Sequence, residues 1–268
     1  MRALVRVDSP KEILLAETGA EIVHGDLKDP ASIEAACRGT EVVVTTATST
    51  ASRRDGDTMR TVDRDGQLAL VRAARDAGAR HFVLVSLSPT LPDDCAIVRY
   101  KREVERAVRD SGMSWTILQP GAFMEIWFGP LTGWDLPQGK ARIVGSGDSR
   151  ISYVSFQDVA AFTVEAVRNE WMRDRDVPVS AAPVTQNEAV RIFQEALGIE
   201  FKVQRVPLAF FRIGGAVLRP FTRRYHSLTR LTVSIGNGDV LDMAEVTAAT
   251  KIPLTSVRDY ATRIARGN

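Results

Sequence analysis

Nothing in this sequence is spaced to hold a metal. Its three histidines, His24, His81 and His226, lie far apart, and its two cysteines, Cys37 and Cys95, show no CxxC spacing. The cysteines read as two reduced, packed thiols rather than a bridge. Long apolar runs are missing as well: no stretch approaches the roughly 18 uninterrupted apolar residues of a membrane span, and no secretory signal is visible. The expected location is the cytoplasm, and no membrane partner is expected. Blocks of basic charge are also missing. A net charge of +2, spread along the chain, supplies no concentrated Lys/Arg face for a phosphate backbone, so nucleic acid is not an expected partner. The Arg-rich stretch around Arg219, Arg223 and Arg224 reads as a solvated helix face.

What the chain does have is apolar content of 44% over 268 residues, enough to bury a full α/β core. Strand-like and helix-like segments alternate from the start. "RALVRV" reads as a strand, "SPKEILLAETG" as a helix stopped by Gly19, and "AEIVHGDL" as a second strand; Asp29 and Pro30 open a helix that ends at Gly39. "TEVVVTTA" is almost all β-branched, the pattern of a parallel strand buried on both faces. A polar stretch with Asp55-Gly56 follows, then a long amphipathic helix "VDRDGQLALVRAARDAG" and another buried strand, "ARHFVLVSLS". "AIVRYKREVERAVRDSG" is a helix and "MSWTILQPGAF" a strand ending in a Pro-Gly turn. After Phe123 the pattern loosens, although Thr185 and Glu188 mark a capped helix start. The expected fold is α/β, a doubly wound, Rossmann-like parallel sheet with a smaller C-terminal substrate-side lobe. The expected division is a dinucleotide-binding region over 1–125 and, over 126–268, a lobe interleaved with the last strands.

"RALVR", "GAEIVHGDLKDPASIEAACRGTEVVV", "HFVLVS", "KREVERAVRDSGMSWTILQPGAFME", "ISYVSFQDVAAF" and "VPLAFFRIGGAVLRPF" stand in an order that resembles the atypical short-chain dehydrogenase/reductases of the NmrA-like group. In that family "RALVR" is the second strand. The resemblance implies a first strand, a G-x-x-G-x-x-G turn and a first helix about 20–30 residues upstream. No such turn stands in these 268 residues, where Gly19, Gly25 and Gly39 each end an element singly. Two explanations stay open. Met1 marks a GTG valine codon read as a start, in keeping with a chain whose 35 basic residues include only six Lys; or the protein is a shortened one that has given up ordinary cofactor binding. In either case "RALVRV" is expected to pair directly with "EVVVTTA" or to leave two strand edges open. NADP(H) binding by this N-terminally truncated chain is expected to be weak or absent, because the pyrophosphate depends on the N–H groups of the missing turn.

The resemblance also assigns residues. Arg6, ending its strand, is placed to pair with a ribose 2′-phosphate, which favours NADP(H) over NAD(H); Arg2 is less well placed. Asp26 and Leu27 correspond to the adenine-side turn, and Thr45, Thr46 and Ala47 end a strand at the carboxyl edge where ligands of such sheets lie. Ser86 corresponds to the serine that hydrogen-bonds a substrate carbonyl. Lys101 aligns with the lysine of Y-x-x-x-K and holds the nicotinamide ribose, but Ile97 stands where the tyrosine acid belongs, and Tyr100 points about 100° away around the helix. Pro120, Gly121 and Phe123 belong to the turn under the nicotinamide carboxamide, although Gln119 stands where relatives often carry Arg. Phe123, Met124, Trp127, Phe128 and Trp134 would line an apolar substrate pocket, with core packing the better reading for at least two. Asp158 reads as a structural helix cap. These assignments imply, for the full-length protein, an NADP(H)-dependent oxidoreductase acting on a small apolar carbonyl or quinone-type substrate. The missing tyrosine leaves open a non-catalytic NADP(H)-sensing or assembly protein.

Overall fold

The structure, a computed structural model, describes residues 1–10, 12–50, 52, 54–210 and 223–267, without the side chains of 223–228. The Arg219–Arg224 surface therefore lies outside what is described. The chain forms two compact units: Met1–Leu84 with Arg99–Thr116 and Arg173–Arg175, and Val85–Val98 with Ile117–Met172 and Asp176–Asn268.

The first unit runs through β1 (Arg2–Val5), α1 (Glu12–Glu17), β2 (Glu21–His24), α2 (Pro30–Cys37), β3 (Val42–Thr45), α3 (Gln67–Asp76), β4 (His81–Val85) and most of α4 (Ala96–Arg109). Asp29 caps α2 by accepting from the Ala31 amide, and Pro30 begins the helix where no intrahelical donor is needed. Arg2 closes the other end of α2, donating to the carbonyls of Ala36 and Arg38 at 3.1 and 2.8 Å, which makes it a structural residue. β1 pairs in parallel with β2, from Arg2↔Glu21 to Val5↔His24. β3 pairs in parallel with β4, from Val42↔His81 to Thr45↔Leu84. Of the two arrangements expected for β1, the structure takes the second: among the described residues β1 pairs with β2 and β3 with β4, and each has its other edge open.

That open edge accounts for a departure from the sequence reading. β4 is buried throughout, as a two-sided strand should be, whereas Val44 in β3 is 42% exposed, because an edge strand has a neighbour on one side only. α1 differs too, since none of its residues is buried. The helix expected from Val62 onward is interrupted at its start: Thr61–Gly66 forms a π-helical turn that leads into α3.

β5 (Ser114–Pro120) begins in the first unit and continues into the second, followed by β6 (Ala122–Phe123), α5 (Met124–Trp127), β7 (Lys140–Val144), β8 (Arg150–Ile151), β9 (Tyr153–Val154) and α6 (Phe156–Arg168). Then come β10 (Arg175–Val179), β11 (Val184–Thr185), α7 (Gln186–Leu197), β12 (Lys202–Val206), α8 (Arg223–Gly236), α9 (Ala244–Thr250) and α10 (Val257–Ala265). Four strands share one sheet in the order β10-β5-β4-β3. β9 joins β6 and β12 joins β7, both in parallel, while β11 and β8 are antiparallel. Three helices open with reciprocal caps, Ser155 with Asp158, Thr185 with Glu188 and Ser256 with Asp259, so both helix starts read from the sequence are present. Asp158 also accepts from the amide and hydroxyl of Thr255 at 3.0 and 2.8 Å. The core of this unit is aromatic: the Phe128 ring lies 4.7 Å from Tyr153 and 5.0 Å from both Trp134 and Phe193. Cys37 and Cys95 are buried and unbridged. No helix among the described residues is long and apolar enough to cross a membrane.

Candidate functional site

In the first unit the expected ribose and adenine residues meet around a carboxylate that the sequence reading passed over. Arg6 Nη1 donates to Asp57 Oδ2 at 2.6 Å. Lys28 Nζ donates to Asp57 Oδ1 and Ser52 Oγ to Oδ2. Asp57 has a side chain only 1% exposed. Burial by itself would raise its pKa, but donation from Lys28, Ser52 and Arg6 overrides that penalty and holds the carboxyl at about 2. The same contact is the main cause that raises the Lys28 ammonium above its ordinary value. Asp26, expected to face a base amine, is engaged locally: its Oδ1 accepts from the Lys28 amide at 2.8 Å and its Oδ2 lies 3.2 Å from Lys28 Nζ. Arg6 and Lys28 are thus fixed, partly exposed, beyond the ends of β1 and β2.

A second cluster stands at the end of β3. Gln67, fully buried, donates from Nε2 to Thr45 Oγ1 at 3.1 Å and to the Ala47 carbonyl at 2.9 Å. Thr46, between them, is exposed. Asp63, also fully buried, accepts at Oδ2 from the amide and hydroxyl of Ser49 at 3.0 and 2.5 Å. Lys101 is 5% exposed, so it is not one more solvated lysine on a charged helix. Burial pushes its pKa down, against the charges of Asp63 and Glu105, which push it up. Tyr100, one residue earlier, is half-buried and Ile97 is buried, consistent with different helix faces for Tyr100 and Lys101.

The π-helical turn joins these clusters within the unit. Gly66 sits so close to the Leu27 backbone that a Cβ there would lie 2.7 Å from the Leu27 carbonyl oxygen. Asp57, Asp63 and Gln67 were missed because their segment reads as a polar loop and an amphipathic helix. One signal was available: Asp63 and Gln67 fall on the same helical face as Leu70, Val71 and Ala74, and polar residues on an apolar face call for partners.

In the second unit Ser86 is buried and its amide donates to the Leu118 carbonyl at 2.8 Å. Pro120 and Gly121 are buried at the end of β5; the Gly121 amide donates to the Val179 carbonyl at 3.1 Å, and a Cβ on Gly121 would lie 2.2 Å from the Ser152 carbonyl oxygen. The Phe123 ring lies tilted against Phe156, with centroids 4.9 Å apart. Of the residues expected in a substrate pocket, Met124 is fully buried. Trp127, Phe128 and Trp134 line a cavity of about 70 Å³ with Arg142, Tyr153 and Gln186. That volume holds about two waters, and Phe128 and Trp134 belong to the aromatic core.

A profile described as NAD(P)H-binding matches residues 1–170. Among curated proteins, the photosystem II assembly factor Ycf39 of a Synechocystis species is 29% identical over 246 residues, 88% of this chain and 73% of that protein. An NAD(P)H azoreductase of Xenophilus azovorans is 30% identical over 180 residues, 67% of this chain and 58% of that enzyme. The chain spans about two thirds to three quarters of the length of the assembly factors it matches. Among solved structures, the NADPH complex of the quinone oxidoreductase QOR2 of Escherichia coli aligns with a TM-score of 0.76 at 20% identity, covering 98% of this chain and 89% of that one. This likeness shows the Rossmann-like α/β fold.

Proposed function

Because the chain belongs to the NAD(P)H-binding family of atypical, NmrA-like short-chain reductases, we propose that it is an NADP(H)-dependent oxidoreductase with a small apolar carbonyl or quinone-type acceptor. The observation that carries this reading is Lys101, withdrawn from water on α4 between the charges of Asp63 and Glu105. An ammonium carries three donors, which suit the hydroxyl groups of a nicotinamide ribose. Arg6 and Lys28, held by Asp57, suit a 2′-phosphate better than a 2′-hydroxyl, which favours NADPH over NADH. Thr45 and Ala47, pinned by Gln67, end a strand at the ligand edge of the fold. Ser86 would hydrogen-bond the acceptor carbonyl, and Pro120, Gly121 and Phe123 would support the nicotinamide, which would supply the hydride.

The residues at hand fit the ribose and adenine ends of the dinucleotide. The second reading is a non-catalytic NADP(H)-sensing or assembly protein. It is favoured by Ile97, a buried apolar residue where the proton donor of ordinary relatives would stand, and by the likeness to Ycf39.

Titration with NADPH and NADH, followed by nicotinamide fluorescence, and turnover with a panel of quinones and aldehydes test both readings. Lys101→Ala should weaken NADPH binding or turnover tenfold or more, about 1.4 kcal/mol per decade, while Tyr100→Phe changes little. The reverse ranking would make Tyr100 the proton donor. NADPH binding without turnover of any acceptor favours the sensing reading, and micromolar NADPH binding overturns the weak-binding expectation.

A further inference from the structure

Asp239 lies in the second unit, in the loop that follows α8, and is 2% exposed. Its Oδ1 accepts from Ser88 Oγ at 2.6 Å and from Thr90 Oγ1. Ser88 and Thr90 stand just beyond β4, in the loop that begins with Ser86. Asp239 is tied by its backbone to a different place. Its carbonyl accepts from the Ser152 amide at 2.7 Å, and its own amide donates to the Arg150 carbonyl at 3.0 Å. Ser152, fully buried, carries the connection onward: its carbonyl accepts from the Ala122 amide at 2.8 Å, and its hydroxyl accepts from the Leu241 amide at 3.0 Å. The Ser152 carbonyl is also the atom against which Gly121 sits too closely for any side chain. One buried residue therefore connects by side chain to the loop expected to hold the acceptor carbonyl, and by backbone to the turn expected to support the nicotinamide.

Among the described residues no cation lies within salt-bridge distance of Asp239, and its Oδ2 is buried with no hydrogen-bond partner there. Within that set its side chain is held by hydroxyls, a costly way for a buried carboxylate to fasten a loop. Ser and Thr in a loop ordinarily find water or local backbone; here the buried Ser88 and the exposed Thr90 converge on one carboxylate oxygen about 150 residues distant in sequence.

We propose that Asp239 is a positioning residue that sets the placement of the Ser86–Thr90 loop relative to the Pro120–Phe123 turn. The inference rests on the oxidoreductase reading in taking these two segments as the reaction end of the site. Three consequences follow from the contacts. Removing the carboxylate releases both hydroxyls and loosens the loop. The loosening passes to Gly121 and Ala122 through Ser152. An amide in place of the carboxylate keeps an acceptor for Ser88 and Thr90 and preserves most of the order.

Amide hydrogen exchange, read residue by residue in the whole 268-residue protein, tests this. Asp239→Ala should raise exchange tenfold or more at Ser86, Leu87, Ser88 and Thr90 and at Gly121 and Ala122, with β4 and α6 within twofold of wild type. Asp239→Asn should stay within threefold at all of them. A rise confined to residues 238–241, or an equal rise throughout the unit, overturns the proposal. Should Asp239→Ala fail to fold, the Ser88→Ala/Thr90→Val double variant takes its place: exchange must rise at Gly121 and Ala122 as well as at 86–90, and a rise limited to 86–90 overturns it. With NADPH and menadione, Asp239→Ala should lower kcat at least tenfold and leave KM for NADPH within threefold; an unchanged kcat also overturns the proposal. Wild-type protein that reduces no acceptor overturns the oxidoreductase reading alone, and the exchange result then decides for Asp239.

Discussion

A carboxylate withdrawn from water stays ionised only where donors replace its hydration, and Asp57 has three of them in Lys28, Ser52 and Arg6. The energetic consequence can be signed. The Asp57 carboxyl titrates at about 2 in the fold against an ordinary 3.8, so ionised Asp57 stabilises the protein above the unfolded value, and that contribution fades as pH falls from about 4 to about 2. The difference corresponds to about 2 kcal/mol. Asp57→Asn should therefore cost about that much at pH 6, as measured by urea unfolding. The gap between variant and wild type should narrow steadily below pH 4. A gap independent of pH would mean that the three donors stabilise the fold by packing rather than by charge. Arg6 shows what a sequence leaves out at this scale. Its place at the end of a strand was legible, but its partner is 51 residues away, in a stretch whose composition says only that it is polar.

Among the elements, legibility followed how local the determining interaction is. The caps at Asp29, Asp158 and Thr185 lie within three residues of their partners, and the alternation of strands and helices follows from periodicity, so both were readable. The π-helical turn at Thr61–Gly66 was not, since nothing in "TVDRDG" distinguishes an extra residue per turn from an ordinary helix start; its Gly66 packs against the Leu27 backbone, far away in sequence. Such turns recur at functional sites, and this one carries Asp63 at its centre and presents Gly66 to Leu27. The burial of β3 was misjudged for a related reason: a β-branched run reports a preference for burial, and whether a second neighbour exists is settled by topology. Gly66→Ala tests the importance of the close approach. The added Cβ would lie 2.7 Å from the Leu27 carbonyl oxygen and 2.9 Å from the Leu27 Cβ, a contact that forces backbone movement. Overpacking of this kind costs about 1–3 kcal/mol, a lowering of Tm of a few degrees or more at this chain length. NADPH binding should weaken as the turn moves. A variant with unchanged Tm and NADPH affinity would show that the turn yields freely and that its link between Leu27 and Asp63 has no functional weight.

At the scale of the whole molecule, the open edges of β1 and β3 have a consequence for behaviour in solution. An edge strand displays a row of unpaired N–H and C=O groups, and proteins usually blunt such edges with charge, proline or a covering element. β3 carries neither charge nor proline along its length: it reads Val42, Val43, Val44, Thr45, with Val44 42% exposed. Apolar side chains are exposed elsewhere in the same unit, at Val7, Ile13 and Leu14. Pairing of edges between copies satisfies the backbone groups and covers that surface. The 268-residue chain should therefore associate with itself as its concentration rises through the micromolar range, and Val44→Lys, which places a charge on the exposed position without disturbing a buried one, should shift the onset at least tenfold upward. Sedimentation velocity over a concentration series, run on both proteins, measures this. Wild-type protein that stays monomeric throughout would mean that the two edges are shielded in solution. Equal association by wild type and Val44→Lys would place the contact on another surface, with α1 and its exposed Ile13 and Leu14 the next to be charged.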